Sequence, residues 1–214
     1  VIIHALNQAD NISSTLLSAA GQSYPEFEVL FTDLGSDDNT LKLAQGFQDS
    51  KLKVVDIPQP KPGWEPGAWA ADQLTRQASG EIVVSLAADT ILLPNAVATM
   101  VSQIVNQDLQ LVSFLPADQN KTLAQKLVLN QNHFLLLGCY PAALIETKHP
   151  SINLAYSGLI GFRKAAITKI RGFERIRKSP IPEMELARQA TNAGLATQFY
   201  LTSDLASSQN HASF

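Results

Sequence analysis

Short β-branched and apolar runs alternate with longer stretches of helical period through the first half of the chain. That alternation leaves few folds open besides parallel strands joined by right-handed helical crossovers. Strands are predicted at VIIHA (1–5), FEVLFTD (27–33), LKVVDI (52–57), EIVVSLAA (81–88) and LQLVSFL (109–115), with helices between them. Ile12, Leu16, Leu17 and Ala20 lay an apolar stripe along the first helix, which Asp10 or Asn11 can cap. The second helix is expected to start near Asp37 to Asn39, the third near Pro66, and the fourth after Pro94, a proline suited to a first helical turn. Beyond residue 115 the pattern loosens to a helix at 121–138, a strand around 154–162, a helix at 182–193 and a strand at 195–201, which reads as an α+β appendage to the sheet. With 214 residues and 45% hydrophobic content, the chain can bury the core of one α/β domain.

Several occupations are excluded or disfavoured. A formal net charge of -3 provides no general basic surface for a nucleic acid polymer, although a small anion could bind locally. The single cysteine, Cys139, excludes an intrachain disulfide and a multi-cysteine zinc site; it is compatible with a reducing compartment and reads as a small core hydrophobe. No run reaches the roughly 18 to 20 apolar residues that cross a bilayer. The nearest approach, HFLLLGCYPAALI at 133–145, is interrupted by Pro141. Since Val1-Ile2-Ile3 already reads as a buried strand, a piece trimmed from a longer chain is expected, cytoplasmic and, in the parent, at the inner face of a membrane.

In open parallel sheets ligands sit outside the carboxyl ends of the strands. Those ends read HALNQADN (4–11), TDLGSDDNT (32–40), PKPGWEPGAWA (60–70) and AADTILLP (87–94). Their order and spacing resemble family 2 glycosyltransferases, which typically carry P-A-x-N-E after the first strand, D-D-G-S-x-D-x-T after the second and D-A-D-T after the fourth. The insert with Trp64 and Trp69 is similar to that of members acting on carotenoid-type or lipid-like acceptors, and IRGFERIRKSPIPEMELARQATNAG (170–194) resembles the family's stretch carrying the base. The resemblance implies a GT-A fold, a mostly parallel Rossmann-like sheet flanked by helices with a C-terminal α+β acceptor-side portion. It divides the single domain into a nucleotide-sugar half, 1–115, and an acceptor and base half, 116–214.

Residue by residue, the resemblance puts Ala5, Asn7, Asp33, Gly35, Ser36, Trp64 and Asp89 at the donor, a UDP- or GDP-sugar. Asp33 ends the second strand, where a carboxylate can accept from a base N–H or a ribose hydroxyl, or else open an Asx-type turn with Gly35 and Ser36. Asp89 matches the acid that holds a divalent cation, Mg²⁺ or Mn²⁺; one protein carboxylate can suffice when phosphates and waters supply the other ligands. Its alternative role is to end the strand in a turn. Glu183 matches the general base of an inverting transfer, or is simply an acid favoured at a helix start after Pro182. Glu185 faces elsewhere and is the weaker candidate. Asp37, Asp38 and Asn39 read as capping, solvated groups, while Trp69 either closes over the donor or packs inside a helix.

The departures fall on polar positions: Leu34, Gln8, Ala87, Pro182 and Gly67 stand where the family typically has acids or a lysine, and His4 replaces a proline. His211 could reach a diphosphate but reads as structural or exposed. The apolar side chains Leu127, Phe134, Leu135 and Leu137 fit core packing or a groove for a lipid-like acceptor. Two functions therefore stand side by side: a metal-dependent, inverting glycosyl transfer, and a degenerate domain that binds a nucleotide or a protein without chemistry. A nucleotidyltransferase would need a glycine-rich basic loop after the first strand, which this sequence lacks.

Overall fold

The computed structural model describes residues 1–118, 158–200 and 205–208. Among these residues the main sheet runs, in spatial order, β3 (Leu52–Val54), β2 (Val29–Asp33), β1 (Ile2–Ala5), β4 (Ile82–Ala87), β8 (Leu159–Arg163), β6 (Leu111–Phe114) and β9 (Thr197–Tyr200). Every pairing is parallel except those of β8, which lies antiparallel between β4 and β6. A smaller sheet places β10 (Ala206–Ser208) between β5 (Thr90–Leu92) and β7 (Ala117–Asp118). The chain builds from β1 outward through β2 to β3, then returns to lay β4 on the other side of β1. The switch point is therefore between β1 and β4, the place outside the strand ends where ligands bind in sheets of this kind.

Both faces of this sheet are covered, so its strands read as nearly continuous apolar runs. On one face Ile3, Phe31, Val84 and Leu86 pack against Ile12 and Leu16 of α1 (Ile12–Ala20) and Met100 and Ile104 of α4 (Ala96–Asn106). On the other, Ile2, Leu30, Val83, Ile160 and Phe162 meet Leu74 of α3 (Pro66–Gln77) and Leu186 of α7 (Pro182–Asn192). The short helices α2 (Thr40–Gln45), α5 (Lys164–Lys169) and α6 (Gly172–Arg175) complete the described part.

Some expectations require correction. The third strand stops at Val54 rather than residue 57, because it is an edge strand with Lys53 and Val54 exposed and little apolar surface to bury. Neither Asp10 nor Asn11 caps α1 through its side chain: Asn11 stands at the cap position, but its amide donates to Gln8 Oε1 at 3.0 Å. The carbonyl of Gln8 instead accepts from the N–H groups of Asn11 and Ile12, at 3.0 and 2.8 Å. The strands β5 and β10 and the helices α5 and α6 are too short to leave a period in sequence. The expected helix at 121–138, the beginning of the strand at 154–162, and the residues Cys139 and His211 lie outside the described residues. No helix among the described residues is long and apolar enough to cross a membrane.

Candidate functional site at the strand carboxyl ends

The loops that follow β1 and β2 are laced together. Asn7, in the left-handed region at φ 53, which asparagine tolerates better than most residues, donates its N–H to Ser36 Oγ at 2.9 Å and accepts from the Asp37 N–H on Oδ1 at 2.9 Å. Next along, the Gln8 N–H donates to Thr40 Oγ1 at 2.7 Å and the Ala9 N–H to Asp38 Oδ2 at 3.0 Å. Asp38 also accepts from the Thr40 N–H at 2.8 Å, which satisfies the first free donor of α2. These bonds hold its carboxyl below the usual aspartate range, the Thr40 hydroxyl contributing most. Backbone donors thus meet side-chain oxygens across two loops, and the strand ends beneath gain a fixed rim.

Asp33 stands in register with the buried Ala5, whose carbonyl accepts from the Leu34 N–H at 2.8 Å. Its Oδ2 accepts from the N–H groups of Gly35 and Ser36, at 2.9 and 2.8 Å, and its Oδ1 from the Ser36 hydroxyl at 2.6 Å. Gly35, at φ 89, allows that tight turn. The Asx-type turn foreseen for Asp33 is therefore formed here, and a nucleoside contact by this carboxylate would use its remaining lone pairs or exchange a turn bond.

Asp89 follows β4 across the switch point. Asp89 is half-buried, and its carboxylate accepts only a long bond, 3.3 Å, from Thr90 Oγ1 among the described residues. The turn is fastened from below by α1 and the residues after it. Thr15 Oγ1 donates to the Ala88 carbonyl at 2.8 Å, Ser18 Oγ accepts from the Leu92 N–H at 3.1 Å, and the buried Gln22 amide spans Leu93 O and Val97 N–H at 2.9 and 3.0 Å.

On the opposite face, His4 is in register with Thr32 and Ala87. Its Nδ1 is buried without a partner among the described residues, and burial pulls the imidazole down to about 4, so it is neutral at pH 7. Gly67, in the first turn of α3, lies so close that a Cβ there would stand 3.3 Å from His4 Nε2. The missing lysine and the added histidine thus belong to one packing arrangement. Trp69 is buried and donates Nε1–H to the Pro58 carbonyl at 2.7 Å, which is the packing role of the two it could take. Trp64 meets it edge-on, with centroids 5.1 Å apart, and is itself half-buried. The Glu65 N–H donates to the Arg177 carbonyl at 2.7 Å, tying the tryptophan loop to the segment that leads into α7.

Glu183 occupies the first turn of α7, behind Pro182, and is 8% exposed. Burial pushes its carboxyl up to about 7, against a small opposing pull from its own backbone N–H. Glu185 is committed to an ion pair with Arg188, with Arg188 Nε 2.8 Å from Oε2, and so is not free for other chemistry. The structure brings together Ala5, Asn7, Asp33, Gly35, Ser36 and Asp89 along the ends of β1, β2 and β4; Glu183 is delivered separately, by a helix packed on the other face. Sequence reasoning missed Thr15 and Gln22. Thr15 had left a signal, a polar residue within the buried stripe of α1.

Comparison with known proteins agrees with this fold. The family model described as Glycosyl transferase family 2 matches residues 1–171. A poly-β-1,6-N-acetyl-D-glucosamine synthase of Staphylococcus epidermidis is 25% identical over 173 residues, 79% of this chain and 40% of that protein. The chain therefore spans well under half the length of the curated relatives it matches. Among solved structures, S. aureus TarS 1-349 in complex with UDP superposes with a TM-score of 0.67 at 17% identity, over 97% of this chain and 59% of that one. The mannosyltransferase PcManGT from Pyrobaculum calidifontis, in complex with GDP-Man and Mn²⁺, gives 0.67 at 19% identity, over 95% and 55%. Glucosyl-3-phosphoglycerate synthase from Mycobacterium tuberculosis, in complex with Mn²⁺, UDP and phosphoglyceric acid, gives 0.61 at 20% identity, over 98% and 70%. At these identities the structural likeness speaks for the fold.

Proposed function

Because the chain belongs to glycosyl transferase family 2, we propose that it transfers a sugar, with inversion, from a UDP- or GDP-sugar to an acceptor hydroxyl, using a divalent cation. Residues 1–115 would hold the donor and residues 116–214 the acceptor, a lipid-like alcohol being one class that fits the apolar side chains of Leu127, Phe134, Leu135 and Leu137. The observation that carries this reading is the half-buried Asp89 at the β1/β4 switch point, whose carboxylate has only a long bond from Thr90 among the described residues.

The donor set suits a cation shared with a ligand. Among the described residues no three His, Cys, Asp or Glu side chains cluster to cage a metal. A single hard carboxylate nevertheless suits Mg²⁺ or Mn²⁺ when a diphosphate supplies further oxygens. Asp89 would hold the ion, which when bound neutralises charge developing on the departing diphosphate. Asn7, Asp33, Gly35 and Ser36 would shape the nucleoside end beside Ala5, and Trp64 would close over the sugar. Glu183 would take the proton of the acceptor hydroxyl as its oxygen bonds to the anomeric carbon and the bond to the diphosphate breaks, releasing the nucleoside diphosphate. A carboxyl at about 7 is matched to that task at neutral pH, where base catalysis contributes roughly 10²–10⁴-fold.

The test is donor turnover across a panel of UDP- and GDP-sugars with Mn²⁺, for the parent and for Asp89→Ala. Metal-dependent turnover that collapses in Asp89→Ala is the expected result. Turnover indifferent to Asp89, or nucleotide binding with no turnover for any donor, would overturn the reading, the second in favour of a binding domain without chemistry.

A further inference from the structure

We propose that Thr15 is a positioning residue for Asp89, setting the cation affinity of the site from beneath it. This rests on the reading of Asp89 as the cation ligand. Only Ala88 and Asp89 link β4, fixed in the main sheet, to β5, fixed in the small one. Thr15 comes from a distant part of the chain, is fully buried, and reaches this two-residue link through a bond of 2.8 Å to the Ala88 carbonyl. That carbonyl belongs to the planar peptide unit joining Ala88 to Asp89, so its direction sets where the Asp89 N–Cα bond points and leaves only φ of Asp89 to aim the Cα–Cβ bond. A valine would fill the same space between Ile12, Leu16 and Ala19 without burying a hydroxyl. What the hydroxyl adds is a hold on that peptide plane. Ser18 and Gln22 clamp only the far side, from Leu92 onward. Groups that orient a metal ligand typically govern affinity by about 10–100-fold.

The experiment is calorimetric titration of Mn²⁺ into the protein saturated with UDP or GDP, whichever the parent binds, for Thr15→Val, Thr15→Ser and Asp89→Ala. Thermal melts without metal run alongside to register any purely structural damage. Expected are a roughly 10–100-fold loss of Mn²⁺ affinity in Thr15→Val and near-parental affinity in Thr15→Ser, which keeps the hydroxyl. Should Thr15→Val not fold, Thr15→Ala makes the same comparison with Thr15→Ser. Parental affinity in Thr15→Val, or equal losses in Thr15→Ser and Thr15→Val, would overturn the assignment. Unchanged Mn²⁺ binding in Asp89→Ala would sink the reading of Asp89 itself, and the role of Thr15 with it.

Discussion

Glu183 and His4, both shifted by desolvation, pull the acid stability of the fold in opposite directions. Glu183 rises from 4.5 to about 7 on folding, so between those values the folded chain holds a proton that the unfolded chain has lost; stability falls as pH rises through that window and is level above it. His4 falls from 6.5 to about 4, so over that range the unfolded chain holds the extra proton and stability rises with pH. The windows overlap between 4.5 and 6.5, where the two slopes oppose each other. Denaturant titrations from pH 4.5 to 6, below the range in which the Val1 ammonium, lowered by burial to about 6, contributes, should therefore show stability climbing with pH in Glu183→Gln and falling with pH in His4→Leu, by up to roughly 2 kcal/mol in each case. The same sign in both variants would disprove the assignment. If Glu183 is also the base, the rate below pH 7 should rise about tenfold per pH unit in the parent and lose ~10²–10⁴-fold in Glu183→Gln.

Among the elements, the junction of α5, α6 and α7 is the tightest described. A Cβ on Gly172 would come within 2.6 Å of Leu186 Cδ1 and 2.9 Å of Ile167 Cγ2, and both neighbours are buried. Gly172→Ala should cost about 1–3 kcal/mol by overpacking. In urea titrations, Leu186→Ala made in the Gly172→Ala background should cost less than Leu186→Ala made in the parent; strict additivity would refute the packing argument. This junction also marks the limit of what the sequence reveals. The strands β1, β2, β4 and β6 are legible because burial on both faces demands apolar runs of strand length. The run at 154–162 announces a strand, but nothing local says that β8 runs antiparallel between β4 and β6, since direction is set by partners far away in the chain. At four and six residues, α6 and α5 are shorter than two helical turns and show no period. In the candidate site Asp33, Asp89 and Glu183 were legible as polar residues at strand and helix ends. The burial of His4 was not, because it depends on Gly67 lacking a side chain one helix away.

On the scale of the whole molecule, the topology concentrates the adaptable backbone at one end of the sheet. The loops after β1 and β2 and the turn after β4 meet at the switch point, and the tryptophan loop is bonded through Glu65 to the segment leading into the helix of Glu183. A ligand that binds there and not to the unfolded chain must stabilise the whole domain through these few segments. At about a hundred times its dissociation constant the gain is ~2.7 kcal/mol. For a chain of this length that corresponds to a rise of roughly 5–10 °C in Tm. The stabilising nucleoside diphosphate with Mn²⁺ should produce that rise in the parent, and little of it in Asp89→Ala. Hydrogen exchange should locate the slowed amides at Asn7 to Ala9 and Gly35 to Asp37, with little change at the amino ends of the strands around Glu28, Ser79 and Glu81. Protection centred on those amino ends would put the ligand at the wrong pole of the sheet, and neither Asp33 nor Asp89 could then be part of its site.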